Sequence, residues 1–259
     1  MIIFDTNVNI LERNAPIAFG NTFFHFNEST STNNVAKQFA ADGIAGHGTI
    51  IRSDWQSKGR GQETTSWESE PAKNLLCSLI FHPSRLLSQN IVYLNMAVCL
   101  SAIDVLSPYT NDAAIKWPND LYVGNKKIAG ILIENTVQGN LIKQVIIGLG
   151  FNINQQHFLT TTNAISLSQV ANYELDIGMF LKQWLNAISL RYTQFENGDF
   201  SQLWNQYHQY LYQLGNTCNF ECNGEIIKGT VLGVNTDGLL RLKIDTSEQL
   251  FHVKQLKWL

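Results

Sequence analysis

Lysine, aspartate and asparagine stand together at Lys116-Trp117-Pro118-Asn119-Asp120, a combination suited to phosphate and a hard cation. Lysine supplies a point charge for phosphate or carboxylate. Aspartate oxygen can hold Mg2+ alongside substrate phosphates, and asparagine donates and accepts at once. Proline cannot donate to a sheet ladder, so Pro118 ends a strand and leaves Asn119 and Asp120 at the rim of a sheet. Taken alone, such a pentapeptide reads as a buried tryptophan followed by a solvated turn; its company reverses that.

Four further segments keep that company. In Lys126-Lys127-Ile128-Ala129-Gly130-Ile131-Leu132-Ile133-Glu134, small residues inside a strand mark a place where something approaches the backbone closely. Gln56-Ser57-Lys58-Gly59-Arg60-Gly61-Gln62, running on to Trp67, offers glycines that let amides wrap an anion and an arginine for a bidentate grip. It lacks the Gly-Lys-Ser/Thr ending of a P-loop. Gly148-Leu149-Gly150-Phe151-Asn152-Ile153-Asn154 again allows close ligand approach, and Asn152 can read a heterocycle edge. The third glycine of a dinucleotide fingerprint is missing. Ser31-Thr32-Asn33 sits at a helix start, where it can cap the helix or aim hydroxyl and amide groups at a polar ring.

The elements that must hold these segments follow from periodicity and turn residues. Strands are expected over 22–28, 48–54 and 75–81, with a helix over roughly 34–42 capped by Thr32 or Asn33 and ended by Gly43. The stretch 55–74 has little apolar content, and a loop this long is functional or mobile. Residues 88–106 have a helical pattern. Strands follow at about 113–117, 121–123 and 127–135, with a hairpin turn at Gly124-Asn125. Gly139-Asn140 marks a turn before the apolar run 141–151. Helices are expected at 176–196 and 199–212. After Gly215 come closely spaced short strands with turns at Asn223-Gly224 and Asp237-Gly238. The chain thus divides into an α+β domain, 1–214, and a small all-β domain, 215–259.

Hydrophobic residues make up 44% of the chain, enough for a sizeable core, and only 15% are charged, which argues against disorder. The net charge of −3 lacks the basic excess of a bulk nucleic-acid binder. Cys77 and Cys99 lie in apolar runs, and Cys218 and Cys222 share a strand face without zinc spacing. The N-terminus does not read as a signal peptide, and no apolar stretch is expected to reach the roughly 18 residues that span a membrane. A soluble cytoplasmic protein is expected.

Together and in this order, the five segments resemble the biotin–protein ligase family, from Thr22 to about Asn154. The Lys-Trp-Pro-Asn-Asp and Lys-Ile-Ala-Gly-Ile-Leu blocks are specific as a pair; the related lipoate and octanoate transferases share the fold without them. The resemblance implies a mixed sheet flanked by helices, as in class II aminoacyl-tRNA synthetases, followed by an SH3-like barrel. It implies that biotin and ATP are the substrates and that Mg2+ assists. It implies transfer to a lysine of a biotin carboxyl carrier protein, usually that of acetyl-CoA carboxylase. Ser31, Thr32, Asn33 and Gln56 would meet biotin's ureido ring. Gly59, Arg60, Gly61 and Gln62 would belong to a loop ordering over biotin and its adenylate, and Trp67 would lie against adenine. Lys116, Asn119 and Asp120 would line the ATP and Mg2+ side, with Asp120 on the metal. Lys127 would hold the biotin carboxylate and the α-phosphate. Asn152 would help bind adenine, and Gly130, Gly148 and Gly150 would floor the pocket.

Two departures stand out. Relatives often carry more basic residues after Gly-Arg-Gly, where this chain has Gln62-Glu63-Thr64-Thr65-Ser66; a weaker hold on the anionic adenylate is expected. About 21 residues precede the strand at 22, too few for the helix-turn-helix that some relatives carry, so no DNA binding is expected. Lipoyl transfer and a non-catalytic binding module are the competing readings. Relatives occur as monomers and as homodimers.

Overall fold

The computed structural model describes residues 2–4, 22–62, 65–83, 86–159, 163–253 and 255–259. In chain order the elements are β1 (Ile2–Phe4), β2 (Phe23–Phe26), α1 (Thr32–Ala41), β3 (Ile50–Ser53), β4 (Leu75–Phe81) and β5 (Leu86–Leu87). A 3-10 turn at Ser88–Asn90 leads into α2 (Ile91–Leu106). Then come β6 (Ala113–Lys116), β7 (Asp120–Val123), β8 (Lys126–Gln138), β9 (Leu141–Phe151), α3 (Leu167–Ala171), α4 (Ile177–Glu196) and α5 (Phe200–Gln209). The tail holds β10 (Thr217–Cys222), β11 (Glu225–Val234), β12 (Leu240–Ile244), β13 (Ser247–Phe251) and β14 (Lys257–Trp258).

The large sheet runs β1-β2-β3-β4-β9-β8-β7-β6, with β5 also on β9. Only β2 and β3 pair in parallel among these strands, so the sheet is mixed, as expected. Strand β4 is buried along its whole length, which requires cover on both faces. Alternation explains how. Leu75, Cys77, Leu79 and Phe81 point into the main core with α2 and α4, while Ile80 joins Phe24, Ala36, Ile51 and Ile146 in a smaller cluster under α1. The same period of two puts Ser78, Gly148 and Gly150 on the α1 face. That face carries the site.

Helix α2 is the principal core helix. From Ser88 to Leu106 it is long and apolar enough to cross a membrane, contrary to the expectation that no stretch reaches that length. Eleven of its residues are buried, Leu94 and Met96 to Ile103 among them, so its apolar character is spent on packing against the sheet and α4. Cys77 and Cys99 are buried in this core, as their surroundings imply; burial pushes the Cys77 thiol up to about 12 against the opposing Arg52 charge.

The tail forms a separate antiparallel sheet, β13-β12-β11-β10-β14. Gly215, at φ 78°, precedes it. Cys218 and Cys222 lie on β10 with free thiols. The two sheets touch through Trp117, whose indole donates to the Gly238 carbonyl at 2.9 Å, and through His208 on α5, which accepts from Val234 N–H at 2.9 Å.

Differences from the expected elements have local causes. Helix α1 begins at Thr32 rather than 34: Ser31 takes the N-cap position but makes no side-chain cap bond. Gln56 instead accepts from the Thr32 amide at 2.7 Å, so a distant residue does the capping. Strand β8 extends to Gln138 because it pairs with β9 as far as Leu141. Helix α5 stops at Gln209, where Ile115 N–H on β6 takes the Tyr210 carbonyl at 2.7 Å. Strands β1 and β5 are too short for periodicity to reveal. The short α3 does carry a signal, Ser166 three residues before Gln169, whose side chain accepts from the Ser166 amide at 2.9 Å.

Candidate active site

A cavity of about 220 Å3 opens on the α1 face of the large sheet. Its floor is glycine. Gly130 and Gly150 are cross-strand partners on β8 and β9, and Gly148 faces Leu132. A Cβ on Gly150 would lie 2.5 Å from Trp67 Cε2, one on Gly130 would lie 3.0 Å from Trp67 Cζ3, and one on Gly148 would overlap the Asn33 carboxamide. Glycine is required at these positions by what packs on them rather than by backbone angle.

One end of the cavity is polar and uncharged. Ser31, Thr32, Asn33 and Gln56 line it; the first three are buried. Thr32 and Asn33 are held from beneath by Ser78, whose hydroxyl lies 2.7 Å from Thr32 Oγ1 and 2.6 Å from Asn33 Oδ1. The other end is charged. Lys127 Nζ lies 2.7 Å from Asp120 Oδ2 and 5.6 Å from the Trp67 ring centre. Asn119 donates to the Ile131 carbonyl at 2.6 Å. The Pro118 carbonyl just before it is held by Asn95 and Tyr207, each at 3.0 Å, which fixes where Asn119 and Asp120 leave the strand.

The long loop between β3 and β4 folds over this cavity. Gly61 N–H meets Thr65 O at 2.8 Å and Trp67 N–H meets Gly59 O at 2.9 Å, a narrow turn that brings Arg60 opposite Ser66. Two side chains latch it down. Gln62 Nε2 donates to Asn119 Oδ1 at 3.0 Å. Arg60 donates to Glu134 Oε1 at 2.9 Å and to Asn34 Oδ1 at 2.5 Å. Glu134 also takes Lys37 at 2.7 Å and Asn33 Nδ2 at 2.9 Å. Burial raises the Glu134 carboxyl, but the bonds from Lys37, Asn33 and Arg60 outweigh it and leave the group below its ordinary value. Glu63 and Thr64, on which the departure in this loop turns, lie outside the described residues.

A second, smaller cavity of about 70 Å3 is lined by Ser66, Trp67, Glu68, Lys127, Asn152, Phe158 and Ala164. Two buried polar atoms, Trp67 Nε1 and Asn152 Oδ1, have no partner, though Asn152 Nδ2 donates to the Ile165 carbonyl at 3.2 Å. Unpartnered buried polar groups are costly unless a ligand or water completes them. Ser66, Trp67 and Lys127 belong to both cavities.

Of the residues expected at a site, Ser31, Thr32, Asn33, Gln56, Arg60, Gly61, Gln62, Trp67, Asn119, Asp120, Lys127, Gly130, Gly148 and Gly150 line the larger cavity, and Asn152 lines the smaller. Gly59 lines neither; it packs beneath Trp67. Lys116 stands apart. Its Cα pairs with Asp120 across β6 and β7, but its ammonium lies among aromatic rings, 4.8 Å from the centre of Tyr122, 5.4 Å from Trp258 and 5.8 Å from Tyr212. Burial lowers its pKa, with Asp120 acting in the opposite sense. Sequence reasoning missed two contributors. Ser78 could have been noticed as a hydroxyl in an otherwise apolar, fully buried strand. Glu134 was visible as the end of the Lys-Ile-Ala-Gly block but carried no assigned part.

The fold is that of solved biotin protein ligases. A solved structure titled as the biotin protein ligase from Aquifex aeolicus in complex with biotin and ATP superposes with TM-score 0.76 at 23% identity, covering 91% of this chain and 97% of that one. The family model described as the biotin/lipoate A/B protein ligase family matches residues 23–152, and the chain belongs to that family. Among characterised relatives, the bifunctional ligase/repressor BirA of Bacillus subtilis is 29% identical over 220 residues, 83% of this chain and 67% of that protein. The biotin–[acetyl-CoA-carboxylase] ligase of Mycobacterium tuberculosis is 24% identical over 224 residues, 84% and 81% of the respective chains.

Proposed function

We propose that this protein is an ATP-dependent biotin–protein ligase, which makes biotinyl-5'-AMP and passes biotin to a lysine of a biotin carboxyl carrier protein. The observation that carries this reading is that Lys127 and Trp67 line both cavities. Biotin in the larger cavity and a nucleotide reaching the smaller one meet at Lys127. The names of the relatives support the reaction class, and that of the mycobacterial relative supports a carrier of the acetyl-CoA-carboxylase kind.

A carboxylate has no good leaving group, so it must be activated. Biotin's carboxylate oxygen attacks the α-phosphorus of ATP, the bond to the bridging oxygen breaks, and pyrophosphate leaves. Two anions have to approach, and Lys127 offsets their repulsion in a partly enclosed site where charge is weakly screened. Arg60, now on Glu134, is near enough on its loop to turn toward the adenylate. Trp67 and Asn152 offer a ring face and an amide edge to adenine. Lys116, cross-strand from Asp120, would reach the ATP side only by leaving its aromatic cage.

Asp120 is the carboxylate on the larger cavity, and no group of three or more potential metal ligands occurs among the described residues. One carboxylate with substrate phosphates is an ordinary Mg2+ arrangement, so the donor set fits an ion that arrives with ATP and neutralises its phosphates. In the second step the carrier lysine's amine attacks the acyl carbon of the mixed anhydride, AMP leaves, and the amine loses a proton. Positioning supplies much of this step.

Residues 1–214 are read as the catalytic domain and 215–259 as an SH3-like domain, a division supported by the glycine turn at Gly215. The net charge of −3 supports a ligase that does not bind DNA; we further propose that it acts in the cytoplasm as a monomer or homodimer without a membrane partner. The test is incubation with ATP, Mg2+, biotin and a biotin carrier domain. A carrier mass increase the size of biotin, dependent on ATP and on the target lysine, is expected; no increase refutes the reading.

A further inference from the structure

Glu134 holds two cations on a single oxygen. Lys37 Nζ lies 2.7 Å and Arg60 Nη2 2.9 Å from Oε1, while Oε2 accepts from the Asn33 carboxamide at 2.9 Å. The three donors stand in different places. Asn33 and Lys37 belong to α1. Arg60 comes from the loop that closes the larger cavity, and it lines that cavity, which Glu134 and Lys37 do not.

This arrangement makes Arg60 the partner that can leave. A carboxylate stripped of every cation in a partly buried place is costly, but Glu134 without Arg60 still has Lys37 and Asn33. The Glu134 side chain is 18% exposed and that of Arg60 35%, so their bond sits at the rim, where an ion pair contributes little and exchanges readily. Arg60 Nη1 is tied to Asn34, also on α1. Both ties run to groups outside the cavity lining, and both hold the loop down.

We propose that Glu134 is an internal competitor for Arg60. In the empty protein it holds the loop shut through the guanidinium. When an anionic phosphate lies beside Lys127, Arg60 passes to it, and Lys37 stays on the carboxylate to balance its charge. Glu134 is thus a positioning residue, acting through Arg60. Lys37 sets how tightly Arg60 is kept, because two cations on one oxygen repel each other and each is held less tightly than it would be alone. The identity of the anion rests on the biotin-ligase reading.

The experiment is calorimetric titration of two probes into wild type, Glu134→Gln, Lys37→Met and the double variant. One probe is a biotinyl-adenylate analogue with a phosphodiester in place of the acyl phosphate; the other is uncharged biotin amide. Glutamine keeps an oxygen for Asn33 but has no charge to hold Arg60. Glu134→Gln is expected to lower the analogue's Kd about two- to fivefold, and Lys37→Met to raise it by a similar factor. The neutral amide gives Arg60 nothing to move to, so its affinity should not improve in Glu134→Gln. The double variant should match Glu134→Gln, because without the carboxylate Lys37 has nothing to balance. In the ligand-free protein, trypsin should cut after Arg60 faster in Glu134→Gln than in wild type. Shifts of the same sign in both single variants, improved affinity for both probes in Glu134→Gln, a loss from Lys37→Met that persists in the double variant, or unchanged cleavage overturns the competitor and leaves the ligase reading standing. A wild-type protein that binds neither probe overturns the ligase reading itself, and the assigned anion with it.

Discussion

Lys127 and Asp120 meet across the β7–β8 hairpin, Nζ to Oδ2 at 2.7 Å, beside a bulge that shifts the register between Leu121 and Tyr122. Their side chains are 27% and 33% exposed, so the pair is open enough to part when a stronger anion arrives. Surface pairs of this kind contribute about 0–1 kcal/mol. Lys127→Ala should therefore leave thermal stability nearly unchanged and reduce adenylate formation by about 100- to 1,000-fold, the usual cost of removing one group that stabilises developing charge. Pyrophosphate release measured against a melting curve checks both parts. Near-normal activity would remove Lys127 from its assigned place.

Lys116 is expected to matter less, and differently. It is caged by Tyr122, Tyr212 and Trp258, and burial already disfavours its charge. Lys116→Met should keep or slightly raise the melting temperature, since a half-buried cation is removed. Its loss of adenylate formation should be smaller than that of Lys127→Ala. An equal loss would mean that Lys116 leaves its cage to reach the substrate.

Glu134 gathers Arg60, Lys37 and Asn33 on one carboxylate, and its native pKa lies below the ordinary 4.5. The sign of the linkage follows. The unfolded chain binds a proton at higher pH than the native protein does. Glu134 therefore contributes stability above its ordinary value, lost as pH falls through the lowered native one. Unfolding curves from neutral pH down to about pH 4 should fall less steeply for Glu134→Gln than for wild type. Parallel curves would count against the clasp.

The glycine floor separates the two ends of the site. Gly148→Ala runs into Asn33 and should weaken biotin binding. Gly150→Ala runs into Trp67 and should weaken nucleotide binding more than biotin binding. Over-packing costs about 1–3 kcal/mol at such positions, or roughly 5- to 150-fold in affinity. Calorimetry with biotin and with the adenylate distinguishes them; the same pattern of losses in both variants would contradict the division.

The loop that closes the cavity is latched by neutral Gln62 on Asn119, and residues 62–66 carry no lysine or arginine. Biotinyl-adenylate should leak slowly into solution when no carrier is present. Chromatography of a reaction containing only biotin, ATP and Mg2+ detects it. No release under turnover would show that Arg60 and Lys127 hold the adenylate unaided.

Much of this was legible in the chain itself. The bounds of the strand Leu75–Phe81 and of the run Leu141–Phe151 were readable to the residue because polar and turn residues flank predominantly apolar stretches there. The close-approach glycines at 130, 148 and 150 were readable because only a packing or ligand constraint explains them inside strands. Tertiary structure alone decided the rest. Which face of β9 the glycines share with Ser78 depends on how β4, β8 and β9 pair. That Gln56 satisfies the helix amide which a local cap was expected to take depends on two segments 24 residues apart meeting in space. The Glu134 clasp joins residues from α1, β8 and the long loop. Lys116, adjacent in sequence to the motif that builds the site, is drawn away from it by aromatic rings, one of them Trp258, 142 residues further along the chain (258 minus 116). Local pattern reports the period of burial; it carries no record of which distant side chain will occupy the other side of a contact.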